Sequence, residues 1–366
     1  MMEGTSQKIR VVEVIPRLSI GGAEIFFASL VEELAKRSDI DVYCVIFFSN
    51  NAPDSRFERF VSIMKDRIYF LDKKKGIDFA AVRRFKKTLL SLSPDVVHTH
   101  LNTKIMYRLA FGTKKQPFKH IHTMHNIATG ESTRVHDRLI MRSELKHHSS
   151  TLVAISPAVA DTIKASFGQG DYPIIMNGFT TPPNMPGKTH VYDMVCVARF
   201  VEAKNHLGLI EAIAKIAQSK PDVTILLLGE GVLESIVRSK VTELGLNNNV
   251  FFGGVAQNVY PFLRQSDCFV LASHYEGSPI SLLEALYAEC LPIVPRVGGI
   301  PDYVKDGESG LLYPVDDMDA LAKAFLRTTT PGFNLEAMRK KMKSVALDNT
   351  MDKCAEKYVA LFRDSK

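Results

Sequence analysis

The chain has 366 residues, 46% of them hydrophobic and 23% charged, with a formal net charge of +6. That length and balance suit two globular domains and exclude a disordered, collagen-like or coiled-coil chain. The charge is uneven: residues 1–180 carry 26 basic and 18 acidic side chains, whereas 181–366 carry 20 and 22, so the first half points to an acidic partner. The five cysteines (Cys44, Cys196, Cys268, Cys290, Cys354) are widely spaced and form no C-x-x-C pair. Neither a disulfide framework nor a zinc ribbon is indicated, and a reduced, cytoplasmic setting is expected. The opening MMEGTSQKIRVVEVIP lacks an apolar signal core, and no stretch approaches the ~18–20 apolar residues of a spanning helix, so any membrane contact is expected to be peripheral.

Short β-branched runs alternate with longer amphipathic segments, the pattern of parallel sheets with crossover helices. Strands are predicted near 9–15, 42–48, 67–71, 96–100, 119–124, 151–155 and 174–176. Helices fall between them, including 23–36 and 79–92, the latter with Phe79, Val82, Phe85, Leu89 and Leu92 expected to face inward. The stretch NGFTTPPNMPGKTH (177–190) is rich in turn formers and reads as an interdomain linker. A second series follows, with strands near 191–198, 223–228, 250–252, 268–271 and 291–295 and helices near 204–218, 232–244, 279–289 and 318–327. The last segment, DNTMDKCAEKYVALFRDSK, reads as a helix with Cys354, Tyr358, Leu361 and Phe362 on one side. The expected fold class is α/β: two Rossmann-like, doubly wound parallel-sheet domains (1–180 and 191–349) facing across a cleft, with a terminal helix at 350–366. Ligands of such sheets lie beyond the carboxyl ends of the strands, so the connecting loops are the place to look.

In HYEGSPISLLEAL, Glu276 precedes Glu284 by eight residues. Ser278 reads as an N-cap with Pro279 at the first helical position, which would leave the N–H groups of Ile280 and Ser281 open to an anion. The plain alternative is a surface carboxylate followed by one that steadies the helix start. Upstream, VARFVEAKN puts Arg199 after an apolar strand and Lys204 at the next helix, two cations that suit a diphosphate or are simply solvated. Gly298-Gly299 follows the strand at 291–295, and Gly21-Gly22 lies between a strand and a helix without the G-x-G-x-x-G spacing. His98 and His100 point to one side of a strand, as do His120 and His122. No third ligand follows at a recognisable spacing, and no metal site is expected. His147-His148 read as a solvated helix end. Lys73-Lys74-Lys75 with Arg83, Arg84, Lys86 and Lys87, extended by Lys114, Lys115 and Lys119, form a cationic element that is either a solvated face or a docking surface for a membrane or an acidic acceptor.

Taken in order, IPRLSIGGAE, VVHTHLNT, HTMHN, AISPAVAD, IIMNGF, VARFVEAKN, ILLLGEG, EGSPISLLEAL and PRVGGIPDYVKDGESGLLYPVDD span nearly the whole chain. They resemble the retaining GT-B glycosyltransferases of the Glu-seven-residues-Glu type (family 4, glycosyl transferases group 1). The resemblance implies that the first domain binds the acceptor, that the second binds a nucleotide-sugar donor, and that the terminal helix crosses back to the first. It implies that Glu284 holds the ribose, Glu276 contacts the donor sugar, Arg199 and Lys204 neutralise the diphosphate, and Gly21, Gly22, Gly277 and Ser278 line the donor. His125 matches the histidine beside the reacting face of the sugar. The sequence departs from the family at Gly277-Ser278-Pro279, where Gly-Phe-Gly is frequent, at Asn205, where glycine is common, and at Asp302, a frequent glutamate.

The implied reaction moves a sugar, expected from a UDP-sugar, with retention onto a glycan or polyprenyl-diphosphate-linked acceptor in surface-polysaccharide or lipopolysaccharide assembly. A front-face route is expected, in which the departing phosphate takes the acceptor's proton. D-x-D matches occur at Asp39/Asp41 and Asp317/Asp319; the first precedes its strand and the second reads as a helix start, so no metal cofactor is expected. Localisation is expected to be cytoplasmic or peripheral on the inner membrane. The alternatives are a UDP-sugar epimerase and a non-catalytic nucleotide-sugar-binding subunit of an assembly complex. Nucleic-acid binding is disfavoured, because the chain has no Trp and no recognisable binding motif.

Overall fold

The computed structural model describes residues 8–19, 21–49, 57–112, 116–128 and 150–364. Lys114, Lys115, His147 and His148 lie outside the described residues. The chain divides into two compact units, Met1–Gly178 with Met351–Lys366 and Phe179–Thr350. Each is built on a six-stranded sheet.

The first unit runs β1 (Ile9–Ile15), α1 (Gly22–Ala35), β2 (Ile40–Ile46), α2 (Glu58–Met64), β3 (Ile68–Phe70), α3 (Phe79–Leu92), β4 (Val96–His100), α4 (Lys104–Phe111), β5 (Lys119–Met124), β6 (Thr151–Ala154) and α5 (Pro157–Phe167). Its sheet order is β3-β2-β1-β4-β5-β6 with every pairing parallel. Such strands are covered on both faces and therefore read as nearly unbroken apolar runs. Val12, Val14, Val45, Phe47, Val82, Phe85, Leu89 and Met106 form one buried cluster. Each side chain of this size stabilises the fold by about 1.5–3 kcal/mol on burial.

The second unit repeats the plan: β7 (Tyr192–Val197), α6 (His206–Ser219), β8 (Ile225–Leu228), α7 (Glu234–Glu243), β9 (Val250–Gly254), α8 (Tyr260–Arg264), β10 (Ser266–Val270), α9 (Ile280–Tyr287), β11 (Leu291–Pro295), α10 (Ile300–Tyr303), β12 (Leu311–Tyr313), α11 (Met318–Thr328) and α12 (Leu335–Asp348). Its order is β12-β11-β10-β7-β8-β9. The order reverses between β1 and β4 in one sheet and between β7 and β10 in the other, the place where open α/β sheets leave a crevice. The closing helix, α13 (Met351–Arg363), belongs to the first unit. It buries Cys354, Tyr358, Val359 and Phe362, while Leu361 is only partly covered.

Several expectations need correction. Residues 174–176 form no strand; Ile174 makes a single bridge to Ala154. From Phe179 onward the turn-rich stretch is part of the second unit, because α8 holds it: Tyr260 Oη donates to the Thr180 carbonyl at 3.0 Å and Arg264 Nε to that of Pro186 at 3.1 Å. Phe79 is 67% exposed rather than inward. It opens α3 directly after the Asp78 cap and lies at the edge of the stripe that Val82, Phe85, Leu89 and Leu92 bury. Ser278 is not the cap of α9. Pro279 takes the cap position, and the Ser278 hydroxyl pairs with that of Tyr303, which α10 brings alongside.

Candidate functional site

In the second unit, the loops leaving β7 and β10 meet at the point where the strand order reverses. Arg199 follows β7, is exposed, and has no side-chain hydrogen bond or ion pair among the described residues. Lys204 ends a single 3₁₀ turn, Glu202–Lys204, instead of opening α6. The next residue, Asn205, has φ +47° and its side chain accepts from the Gly208 N–H at 3.1 Å. Asparagine tolerates the left-handed region and can cap as well, which glycine cannot do with a side chain. That accounts for asparagine at this position.

The Lys204 ammonium lies 2.7 Å from both carboxylate oxygens of Glu276, and Ser273 Oγ donates to one of them at 2.6 Å. Glu276 is 5% exposed, and a carboxylate so buried requires such partners. Lys204 is therefore held in an ion pair while keeping part of its side chain accessible, whereas Arg199 is an open cation. The His274 N–H bonds the Ala203 carbonyl at 3.0 Å and stitches the two loops together. The loop after β11 closes over them. Gly298 has φ +53°, and a Cβ there would fall 1.7 Å from the Glu276 carbonyl oxygen, which also accepts from the Gly299 N–H at 3.1 Å. Only glycine fits.

Gly277 lies between the two buried residues Glu276 and Ser278. Ile280 and Ser281 occupy the first turn of α9, where backbone N–H groups have no intrahelical acceptor. Glu284, further along α9, has its carboxyl pushed up to about 8 by burial. The same burial, followed by the charge of Glu284, raises the nearby Tyr260 phenol. The acidic pairs read from D-x-D are structural. Asp317 caps α11 through the Ala320 N–H at 2.8 Å, Asp319 pairs with Lys215, Asp39 with Arg37, and Asp41 with Arg10.

In the first unit, Gly21 caps α1 and Gly22 is its first residue; a Cβ on Gly22 would meet nothing within 4 Å. His125 follows β5 and is half-buried, with the edge of Phe26 against it at 5.4 Å between ring centroids. Burial first, then the charges of His100, His122 and His98, hold its imidazole well below the usual histidine range. His100 Nδ1 lies 2.8 Å from His125 Nε2.

Sequence spacing showed no third group beside His98 and His100, yet β1 supplies one. Glu13 receives His98 Nδ1 at 3.0 Å and His100 Nε2 at 2.9 Å. The three could gather around a cation, but ligation would break both hydrogen bonds, since a ring nitrogen that donates has no lone pair for a metal. His120 and His122 are held instead by Thr99, whose Oγ1 is 2.9 Å from a nitrogen of each.

The cationic element is only partly available. Arg83, Lys86 and Lys87 are exposed on α3, with Lys86 5.7 Å from the centroid of the Phe111 ring. Arg84 folds back instead, donating to the Leu71 carbonyl at 3.0 and 2.7 Å and so tying α3 to the loop after β3. Lys119 bonds the Leu361 carbonyl of α13 at 2.7 Å. Ile77, 71% exposed, and Phe79 stand beside these cations. Among the described residues no helix is long and apolar enough to cross a membrane.

Sequence reasoning missed Ser273 and Glu13. The signal for Glu13 was a lone carboxylate inside the apolar strand IRVVEVI, which cannot be buried without donors.

Residues 20–181 match the family model described as Glycosyltransferase Family 4, and residues 186–345 match that described as Glycosyl transferases group 1. The lipopolysaccharide core biosynthesis glycosyltransferase LpsE of Rhizobium meliloti (strain 1021) is 27% identical over 321 residues, 83% of this chain and 84% of that protein. The UDP-Gal:alpha-D-GlcNAc-diphosphoundecaprenol alpha-1,3-galactosyltransferase of Escherichia coli is 24% identical over 314 residues, 75% of this chain and 81% of that protein. Among solved structures, sucrose-phosphate synthase from Thermosynechococcus elongatus superimposes with a TM-score of 0.80 at 19% identity, covering 97% of this chain and 98% of that one.

Proposed function

This chain belongs to the group 1 glycosyltransferases of GT-B fold, and we propose that it moves a sugar, with retention, from a UDP-sugar to a lipid-diphosphate-linked or glycan acceptor in surface-polysaccharide assembly. The observation that carries this reading is the set of charges at the switch point of the second sheet: an open Arg199 and, in the same loop, a partly exposed Lys204 paired with the buried Glu276 and Ser273. A nucleotide diphosphate carries two or more negative charges, and Arg199 offers a planar fork of donors to them. Lys204 adds positive potential while fixing the orientation of the Glu276 carboxylate toward a sugar hydroxyl. The first turn of α9 supplies backbone donors and the positive end of the helix dipole. Glu284 holds the ribose; hydroxyl donors from that ribose would favour its ionised form.

In this reading the arginine, the lysine and the helix start stabilise the leaving diphosphate without a metal, as fixed donors worth about 3–4 kcal/mol each in comparable sites. The acceptor's proton passes to the departing phosphate oxygen. In the first unit, the Gly21-Gly22 loop and His125 take the roles that the family resemblance implies, His125 orienting the sugar. UDP as the nucleotide and a diphosphate-lipid acceptor are supported by the name of the Escherichia coli relative. The exposed Ile77 and Phe79 among Lys74, Lys75, Arg83, Lys86 and Lys87 support peripheral contact with an anionic bilayer. Arg84, exposed but tied to the loop after β3, holds a fixed place on the same face.

A thermal-shift screen of UDP- and GDP-sugars, followed by transfer to a diphosphate-lipid acceptor with and without EDTA, tests the reading. A UDP-sugar at about 100 times its Kd should add ~2.7 kcal/mol of stability. Stabilisation by no nucleotide sugar refutes the donor, and activity lost in EDTA and restored by magnesium refutes the metal-free route.

A further inference from the structure

We propose that His274 and Asp316 are positioning residues for the Lys204–Glu276 pair: with Asn205 they clasp the loops that follow β7, β10 and β12, and so set how the pair meets the donor sugar. The proposal deepens the donor-site reading above and rests on it. His274 stands two residues before Glu276, and its backbone N–H bonds the carbonyl of Ala203, the residue before Lys204, at 3.0 Å. Its ring reaches the third loop, with Nδ1 2.7 Å from Asp316 Oδ1. Asn205, the residue after Lys204, turns its Nδ2 to the same oxygen at a longer 3.5 Å, while its Oδ1 holds the Gly208 N–H at 3.1 Å. One carboxylate oxygen thus collects a donor from each of the two loops that carry Lys204 and Glu276. Tyr313, at the end of β12, adds a further tie by donating to the Leu271 carbonyl just after β10.

Backbone strain marks the same place. Asn205 and Asp316 are non-glycine residues at φ +47° and +64°, a left-handed conformation that persists where the surroundings over-determine it. Glycine would relieve the strain at both positions. What glycine lacks is the side chain that closes the clasp. A carboxylate only accepts, so the bond to Asp316 keeps a proton on His274 Nδ1 in either charge state of the ring. The pair is open to water, with 43% of the His274 side chain and 60% of that of Asp316 exposed. Such a pair contributes little to stability, and its effect is geometric. Because Lys204 and Glu276 grip each other across two of the clasped loops, a shift of either loop moves the carboxylate that faces the sugar.

The test uses the full chain and the UDP-sugar that gives the largest thermal shift. Asp316→Gly is the central variant, because glycine takes φ +64° without strain and should leave Tm no lower than that of the wild type. It should lower kcat/KM for that donor about 10- to 100-fold, and His274→Ala should do the same. His274→Asn, whose amide can donate to Asp316 in place of Nδ1, should recover most of the loss. Asp316→Gly should add little in the His274→Ala background, since both break one contact. Wild-type kinetics in Asp316→Gly, or losses that multiply in the double variant, overturn the proposal. A second measurement needs no ligand: long-range ¹H–¹⁵N spectra of ¹⁵N-histidine-labelled protein, above the pH at which an imidazole titrates, with His274 assigned through His274→Asn. The Nδ1–H form is expected in the wild type and the Nε2–H form, which a free side chain favours in water, in Asp316→Gly. An Nε2–H ring in the wild type overturns the clasp. If the wild type binds no UDP-sugar, the donor reading fails, while the spectra still report whether the clasp forms, so the two failures are distinct.

Discussion

Replacing Lys204 by alanine removes two 2.7 Å charge-assisted contacts and leaves the Glu276 carboxylate, 5% exposed, with Ser273 as its remaining side-chain donor. Breaking a fully buried pair from one side costs about 3–5 kcal/mol. Lys204 retains about a fifth of its side-chain exposure, so water partly screens the pair and the expected cost is about 2–3 kcal/mol. In a unit of this size that lowers Tm by roughly 5–10 °C. Glu276→Gln perturbs the same pair from the other end. The amide keeps an acceptor for Ser273 and Lys204, whose ammonium can also reach water, so the expected cost is only about 1 kcal/mol. The double variant Lys204→Ala/Glu276→Gln no longer buries an uncompensated charge and should be more stable than Lys204→Ala alone. Calorimetry of the four proteins, read on the transition of the second unit, closes the cycle. Equal costs for the two single variants, or a double variant as unstable as their sum, would refute the reasoning.

Four further outcomes follow from the same geometry. Glu284 is raised to about 8 when folded, from an ordinary 4.5; the folded state therefore holds a proton that the unfolded state lacks between these values, and stability falls as pH rises through that window. Nucleotide-free wild type should lose ground to Glu284→Gln in thermal unfolding from pH 5 to pH 8, and a difference that stays flat with pH would contradict the assignment. Gly298→Ala should lower Tm by several degrees and abolish donor binding, because the new Cβ has no room beside the Glu276 carbonyl. Gly22→Ala, with nothing within 4 Å, should fold at least as well as wild type, so a fall in its turnover reports on ligand approach alone. Arg199→Ala should change stability by less than about 0.5 kcal/mol yet weaken binding of the UDP-sugar about tenfold or more by calorimetric titration; unchanged affinity would remove Arg199 from the diphosphate site.

The sequence alone determined the α/β class, the two series of strands and most of their positions, because apolar periodicity is a local property that parallel sheets, buried on both faces, display plainly. It also singled out Arg199, Lys204, Glu276 and Glu284 from their places after a strand and around a helix start, and His125 through the resemblance that HTMHN carries. What it left undecided are relations between distant segments. That Lys204 grips Glu276, 72 positions away, that Arg84 is tied down while Arg83 is exposed, and that Phe79 turns outward at the edge of its stripe all depend on which elements pack together. Glu13 shows the limit most clearly. In the sequence it is one charge in an apolar strand, and β4 lies some 85 residues further on. Only the strand order, which places β4 beside β1, turns that misfit into the buried anion of a histidine chain, because the low dielectric of a core makes each polar group demand a partner and tertiary pairing alone decides which one it finds.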